Sequence, residues 1–303
     1  MSKFPIVAVQ SCPLCGASGP LCESHIIPHF VIQWLRESSA TGHIRFGEAP
    51  NLRVQDGLKQ PLLCAACEVL LSGWERITAE RLFKPYHLNT ETVLPYGQWL
   101  AKFCASVCWR VLFIYRGIGL DHFSEEQLQL VDRALDFWRD LMFDRRGHPG
   151  EFEFHVLPLS GLKSAKGFDL PPNMNRYFSR EVEADVGTTR ASAFVQVKIC
   201  RLMVLGFVQM PNSREWKATR VKMRRGSIGG PQTYCLPKNF VDYLIERARH
   251  VASLQSNISD TQKKKIVEAM RSDPDRAANS DTFEAISQDV KMFGPAAFKP
   301  QNQ

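Results

Sequence analysis

The chain has 303 residues, 44% of them hydrophobic and 23% charged, which suits a soluble globular protein with one large domain or two modest ones. No apolar run approaches the roughly 18–20 residues that span a bilayer, and Met1–Gln10 lacks the basic start and long apolar stretch of a secretory signal, so a cytoplasmic, non-membrane protein is expected. The net charge of +7 favours polyanionic partners such as nucleic acid.

In chain order, residues 1–90 read as a metal-organised unit. Cys12-Pro13-Leu14-Cys15-Gly16 forms the first C-x2-C pair, and Glu23-Ser24-His25-Ile26-Ile27-Pro28 follows. Phe30, Val31, Trp34 and Leu35 then recur at helical spacing, ending near Ser38-Ser39. Short extended pieces between Gly42 and Asp56, broken by Gly47 and Pro50, predict a hairpin or ordered loop. The second pair, Cys64-Ala65-Ala66-Cys67, opens a helix running through Leu70, Leu71, Trp74 and Ile77. Residues 91–146 predict a helical hairpin: a buried helix from Tyr96 to Tyr115, a stop at Gly117 and Gly119, then a helix through Leu128–Leu141. The second helix starts in a capping box formed by Ser124 and Gln127.

Beyond Gly147-His148-Pro149-Gly150 the pattern changes. Phe152–Val156 alternates as a half-buried strand does, Ala193–Met210 is rich enough in Val, Ile, Leu and Phe for one long strand or two, and Lys217–Arg224 alternates again. Residues 147–257 therefore predict a small, mostly antiparallel sheet closed by a helix over Asn239–Leu254. Residues 258–303 predict a polar tail with helices at Thr261–Arg271 and Asp281–Phe293 and disorder from Gly294 onward. The expected fold class is α+β: a treble-clef zinc module, a helical hairpin, then a small sheet with C-terminal helices.

Nine cysteines without regular spacing do not form a secreted disulfide framework. Cys104 and Cys108 lie in an apolar helix, where buried free thiols are expected, and Cys22 reads as core. Cys12, Cys15, Cys64 and Cys67, by contrast, can give four thiolates to one tetrahedral zinc, a structural role because no coordination position stays open for water. Gly16 fits the tight knuckle turn, where positive φ is common. Arg220, Lys222 and Arg224 alternate with Val221 and Met223, so on a strand the three cations would share one face, which Arg225 extends. Such a stripe can follow a phosphate backbone; a solvated sheet face is the plain alternative.

The order knuckle, His-Ile-Ile-Pro, then Leu-Cys-x-x-Cys opening a helix resembles the zinc-stabilised form of the HNH (ββα-metal) endonuclease family over roughly residues 10–77. The resemblance implies metal-dependent hydrolysis of phosphodiester bonds, most naturally in DNA, with His25 as the general base that activates water. It implies a metal ligand just before that histidine, a second just after the last cysteine, and an upstream Asn orienting the base. Ser24 and Glu68 occupy the two ligand positions; Glu68 can bind Mg²⁺ or Mn²⁺, whereas a hydroxyl at Ser24 is a poor ligand. A carboxylate such as Asp56 or Glu75 would then complete the shell, and Gln60 could replace the Asn, since Asn51 lies too far upstream. His29 has i, i+4 spacing to His25, but Pro28 between them favours an exposed helix-start histidine. Such modules joined to unrelated segments also resemble bacterial restriction or phage-defence effectors. The alternative is a zinc-stabilised module that binds nucleic acid or protein without catalysis, with a partner surface in the C-terminal half.

Overall fold

A computed structural model describes residues 7, 9–162, 167–210, 214–230 and 234–298. Strand β1 (Cys22–His25) pairs antiparallel with β4 (Lys59–Leu63), setting His25 opposite Lys59 and Ser24 opposite Gln60. Helix α2 (Ala65–Thr78) follows β4 directly, completing a treble clef. Helix α1 (His29–Glu37) and the hairpin β2 (Ile44–Phe46)–β3 (Ala49–Val54) are inserted between its two strands. Pro28 supplies the non-helical turn before α1, as Pro residues do at a helix start. Helix α2 runs through a π-helical turn (Ala79–Phe83) into α3 (Lys84–Leu88), and β5 (Leu94–Gly97) leads to the central helix α4 (Gln98–Ile118).

Helix α4 is buried almost all round, from Leu100 to Ile114, which is why its sequence shows density of apolar residues rather than a stripe. Helix α5 (Glu125–Met142) lies beside it. Ser124 accepts from the Gln127 amide, and the Gln127 side chain accepts from the Ser124 amide, so the predicted capping box is present. The sheet has strands β6 (Phe154–Pro158), β7 (Val182–Thr189), β8 (Ser192–Ile199) and β9 (Leu202–Gln209) in the order β6-β9-β8-β7, all antiparallel. Helix α6 (Met174–Arg180) precedes β7. After β10 (Arg225–Ile228), which pairs with β5, come α7 (Lys238–Ser256), α8 (Asp260–Ser272), α9 (Pro274–Ala278) and α10 (Asp281–Phe293), ending in a short 3₁₀ turn at Gly294–Phe298.

Both sheet faces are buried. Val182, Ala184, Val195, Val197 and Val204 face α4 and α5 in a core continuous with the treble clef, whereas Phe194, Met203, Leu205 and Phe207 face Trp216 and α7. Alternation by two along each strand produces this split. Cys104 and Cys108 lie in the first core with no access to solvent, and burial pushes both thiols up, as expected for inert packed cysteines.

Two expectations are corrected. Lys217–Arg224 is not a strand: only Arg220 bridges to His155, through Val156 N–H to Thr219 O and Val221 N–H to Phe154 O. The ladder then breaks because the Lys222 amide turns to the Tyr96 hydroxyl. The expected disorder from Gly294 gives way to the 3₁₀ turn up to Phe298; the remainder, 299–303, lies outside the described residues. Among the described residues no helix is long and apolar enough to cross a membrane.

Candidate functional site

The first site is the cysteine cluster. Cys12 and Cys15 sit on a knuckle closed by Gly16 N–H to Cys12 O at 2.7 Å and Cys12 N–H to Ala17 O at 2.9 Å, with Gly16 at φ 80°. Cys64 is the N-cap of α2, and Cys67 lies in its first turn. The β1–β4 pairing brings the two halves together, and all four Sγ atoms lie within 4.8 Å of one another. Cys15 and Cys64 sulfurs are 3.6 Å apart, close to the ~3.8 Å edge of a tetrahedron with Zn–S bonds of ~2.3 Å. The Cys67 backbone amide brings the Cys64 thiol down to about 7, partly against its own desolvation, whereas burial pushes Cys67 up. Cys64 is thus drawn toward the thiolate form, and a bound dication would draw off protons from the set. The donor set is compatible with a metal such as zinc.

The second site begins at the end of β1. His25, a fifth exposed, points away from the interior, while Ser24 beside it points inward, as neighbours on a strand must. Ser24 is fully buried. Its hydroxyl accepts from the Leu63 amide at 3.1 Å and donates to the Cys22 carbonyl, so it faces the core rather than a site. Gln60 is likewise buried, its amide oxygen accepting from the Val7 N–H. Asn51 holds the Asn257 carbonyl and the Ser259 amide at the α7–α8 junction. Among the described residues none of these three hydrogen-bonds to the His25 ring.

The group that does so is Asp56. The His25 Nε2–H donates to Asp56 Oδ1 at 2.9 Å, and the Gly57 amide donates to the same oxygen at 2.7 Å. Lys59 Nζ lies 2.5 Å from Oδ2. Partial burial alone would raise the Asp56 carboxyl, but the Lys59, His25 and Gly57 hydrogen bonds hold it well below the usual carboxylate range. Gly57 also packs tightly here: a Cβ would lie 2.9 Å from Ile32 Cγ1 and 3.7 Å from the His25 ring. His29, at the start of α1, has its ring centroid 5.1 Å from that of His25 and its Nε2 3.9 Å from Asp56 Oδ1. His25, His29 and Asp56 therefore offer three donor atoms within 4.8 Å of one another, a mixed nitrogen and oxygen set that a divalent ion accepts.

Behind His25 lies a clamp that sequence reasoning missed. Arg110 of α4, only 2% exposed, donates from Nη1 to the His25 carbonyl at 2.7 Å and from Nη2 to Glu75 Oε1 at 2.6 Å. Glu75 is thus committed to Arg110 rather than to a metal shell. Glu68 stands outside the His25–His29–Asp56 group; one of its carboxylate oxygens is buried without a hydrogen-bond partner among the described residues.

Arg220, Lys222 and Arg225 are exposed and line one cleft of about 810 Å³ together with Arg214 and Lys217, although they do not share a strand. Arg220 is paired with Glu153 at 2.6 Å, and Arg224 is exposed but outside the cleft lining.

Comparison with protein-family models, curated proteins and solved structures finds no match to this chain.

Proposed function

We propose that the N-terminal module is a metal-dependent endonuclease of HNH type that hydrolyses phosphodiester bonds in DNA, with His25 as general base. The observation that carries this reading is the Asp56–His25 hydrogen bond at the end of β1. A carboxylate accepting from Nε2–H fixes the neutral tautomer with its lone pair on Nδ1, and it stabilises the imidazolium formed when Nδ1 takes a proton from water. Asp56 thereby serves the orienting role for which the sequence offered only Gln60. Arg110 supports the same role through the backbone, by holding the His25 carbonyl.

The reaction calls for a divalent cation such as Mg²⁺ or Mn²⁺, which would stabilise charge on the leaving oxygen. The unpartnered carboxylate oxygen of Glu68 suits a hard cation, and Asp56 with His29 is the other donor set at hand. The cleft lined by Arg214, Lys217, Arg220, Lys222 and Arg225 suits a phosphate backbone. A zinc-stabilised binding module without catalysis is the competing reading; it is favoured by Ser24, whose hydroxyl is spent in the core, and by Lys59, whose ammonium occupies one oxygen of Asp56.

Plasmid nicking by the purified full chain with Mg²⁺, Mn²⁺ or Ni²⁺ separates the two. We expect His25→Ala to lower the rate by ~100-fold or more, the usual contribution of a general base, with zinc content unchanged. Asp56→Asn should lower it by less and shift its pH profile. Nicking that His25→Ala leaves intact overturns the reading.

A further inference from the structure

A cavity of about 310 Å³ lies where the inserted hairpin β2–β3 and the end of α1 meet α7, α8 and the α6–β7 junction. Most of its wall is apolar, from Leu35, Ile44, Phe46, Val251, Leu254 and Ile266. The polar part is cationic: His43 and Arg45 come from the hairpin side and Arg180 from α6. Arg180 is already satisfied by Asp281, Ser38 and the Leu35 carbonyl, and the field of Glu181, the carboxylate in the lining, falls on Arg180 and Lys198.

His43 and Arg45 are different. Among the described residues, the Arg45 Nε and the His43 Nδ1 are buried without hydrogen-bond partners, and the one side-chain bond of Arg45, from Nη2 to Gln262 Oε1, is long at 3.4 Å. Arg53 Nη1 lies 3.3 Å from His43 Nε2, and the Arg276 guanidinium lies over Gly42, where a Cβ would be 3.2 Å from its Nη2. Three guanidiniums thus surround one imidazole. Among the described residues no carboxylate forms an ion pair with Arg45, Arg53 or Arg276. Like charges gathered in a partly dry site repel one another, and donors left without acceptors cost further free energy. An anion placed between them reverses both terms.

The direction of the cavity gives the rest of the ligand. A second apolar chamber of about 490 Å³, lined by Val267, Met270, Phe283, Ile286 and Phe298, shares Ala40, Ile258 and Ile266 with the first. The helices that roof it, α8 and α9, present no fully buried side chain and so pack shallowly. We propose that this cavity binds an amphipathic anion: a carboxylate, sulfonate or phosphate head held by Arg45 and His43, with an aromatic or alkyl body extending under α8 and α10. The site is separate from the His25 chemistry and does not depend on it.

The test is a fluorescence titration of the zinc-loaded full chain with 8-anilinonaphthalene-1-sulfonate and, in parallel, with its uncharged relative N-phenyl-1-naphthylamine. We expect saturable binding of the sulfonate at one site. Arg45→Gln should weaken it by about tenfold or more, the loss of a charge-assisted hydrogen bond, while changing the uncharged probe by no more than about twofold. Arg45→Lys should restore part of the sulfonate affinity, and Ile266→Trp, which fills the cavity, should weaken both probes. Arg53→Gln should weaken the sulfonate selectively as well, and it decides the matter if Arg45→Gln does not fold. Absence of saturable sulfonate binding, or equal effects of the arginine substitutions on both probes, overturns the proposal.

Discussion

Removing Arg110 tests how the central helix governs the candidate site. In Arg110→Met the methionine fills much of the same volume but donates no hydrogen bond. Glu75 then loses its counter-charge, and the His25 carbonyl loses a donor that was 2.7 Å away. Breaking a buried ion pair from one side costs about 3–5 kcal/mol, and an orphaned buried carbonyl adds about 1–3 kcal/mol. The Glu75 side chain retains 18% exposure, so water recovers part of this, and we expect a net loss of about 3–5 kcal/mol. In Arg110→Met with Glu75→Leu the stranded charge is gone, and the loss should fall to about 1–2 kcal/mol, chiefly the His25 carbonyl. The assay is urea unfolding of zinc-loaded protein followed by tryptophan fluorescence, with the four corners of the double-mutant cycle compared at equal slope. Coupling below about 0.5 kcal/mol between positions 75 and 110 would refute the clamp.

Three further outcomes follow from the same geometry. Chelation, or Cys64→Ser, should release one equivalent of zinc per chain and lower the melting temperature, read by a colorimetric zinc assay and calorimetry; wild-type protein purified without zinc and equally stable would refute the metal knuckle. His87 donates from Nδ1 to the Phe83 carbonyl and accepts at Nε2 from the Arg201 amide, and burial pushes it down to about 3. Because its folded pKa lies below its unfolded value, the unfolded chain binds the extra proton between those limits. Stability should therefore fall by about 1.4 kcal/mol per pH unit from roughly pH 6.5 downward, and His87→Gln should flatten that slope in unfolding titrations. Lys217→Ala and Lys222→Ala, in the basic cleft, should each reduce the salt dependence of DNA binding by a slope of about 1; unchanged slopes would remove the cleft from the interface.

What the sequence made legible was local. Both C-x2-C pairs, the Ser124 capping box, the hairpin between Gly42 and Asp56 and the helix over Asp281–Phe293 are all signalled within a few residues, and each is present. Strand β7 was not predicted, although Val182, Ala184 and Val186 alternate with Glu183 and Asp185. Glu183 is in fact buried, with Tyr177, Gln196 and Arg247 donating to it, and only tertiary contacts supply those partners. The alternation in Lys217–Arg224 was real as a pattern of burial, with Val221 inside and Arg220 and Lys222 outside, yet among the described residues the ladder there stops at a single bridge. Arg110 was invisible for the same reason as Glu183: a charge within an apolar helix shows its purpose only when its partners from β1 and α2 are in place.

Asp56 shows how a site residue can have a neighbour that counting along the chain does not reveal. As sequence it is a turn residue before Gly57, and it was considered only as a metal ligand. The register His25 opposite Lys59 fixes its true surroundings, because the turn that feeds β4 must then pass the end of β1. An Asp-Gly turn just ahead of the strand that pairs with the histidine strand was the available signal. The hairpin β2–β3 feeds that turn, and it also carries His43 and Arg45 and is tied through Asn51 to the α7–α8 junction. Movement of the hairpin therefore displaces Asp56 from His25 before it disturbs the cysteine knuckles, whose positions depend on β1, β4 and α2. Zinc retention and the His25–Asp56 contact should accordingly respond independently: Asn51→Ala is expected to leave the zinc content unchanged while moving the His25 imidazole resonances at fixed pH, followed by NMR. A loss of zinc without any change in those imidazole resonances would mean that the hairpin is coupled to the knuckles instead.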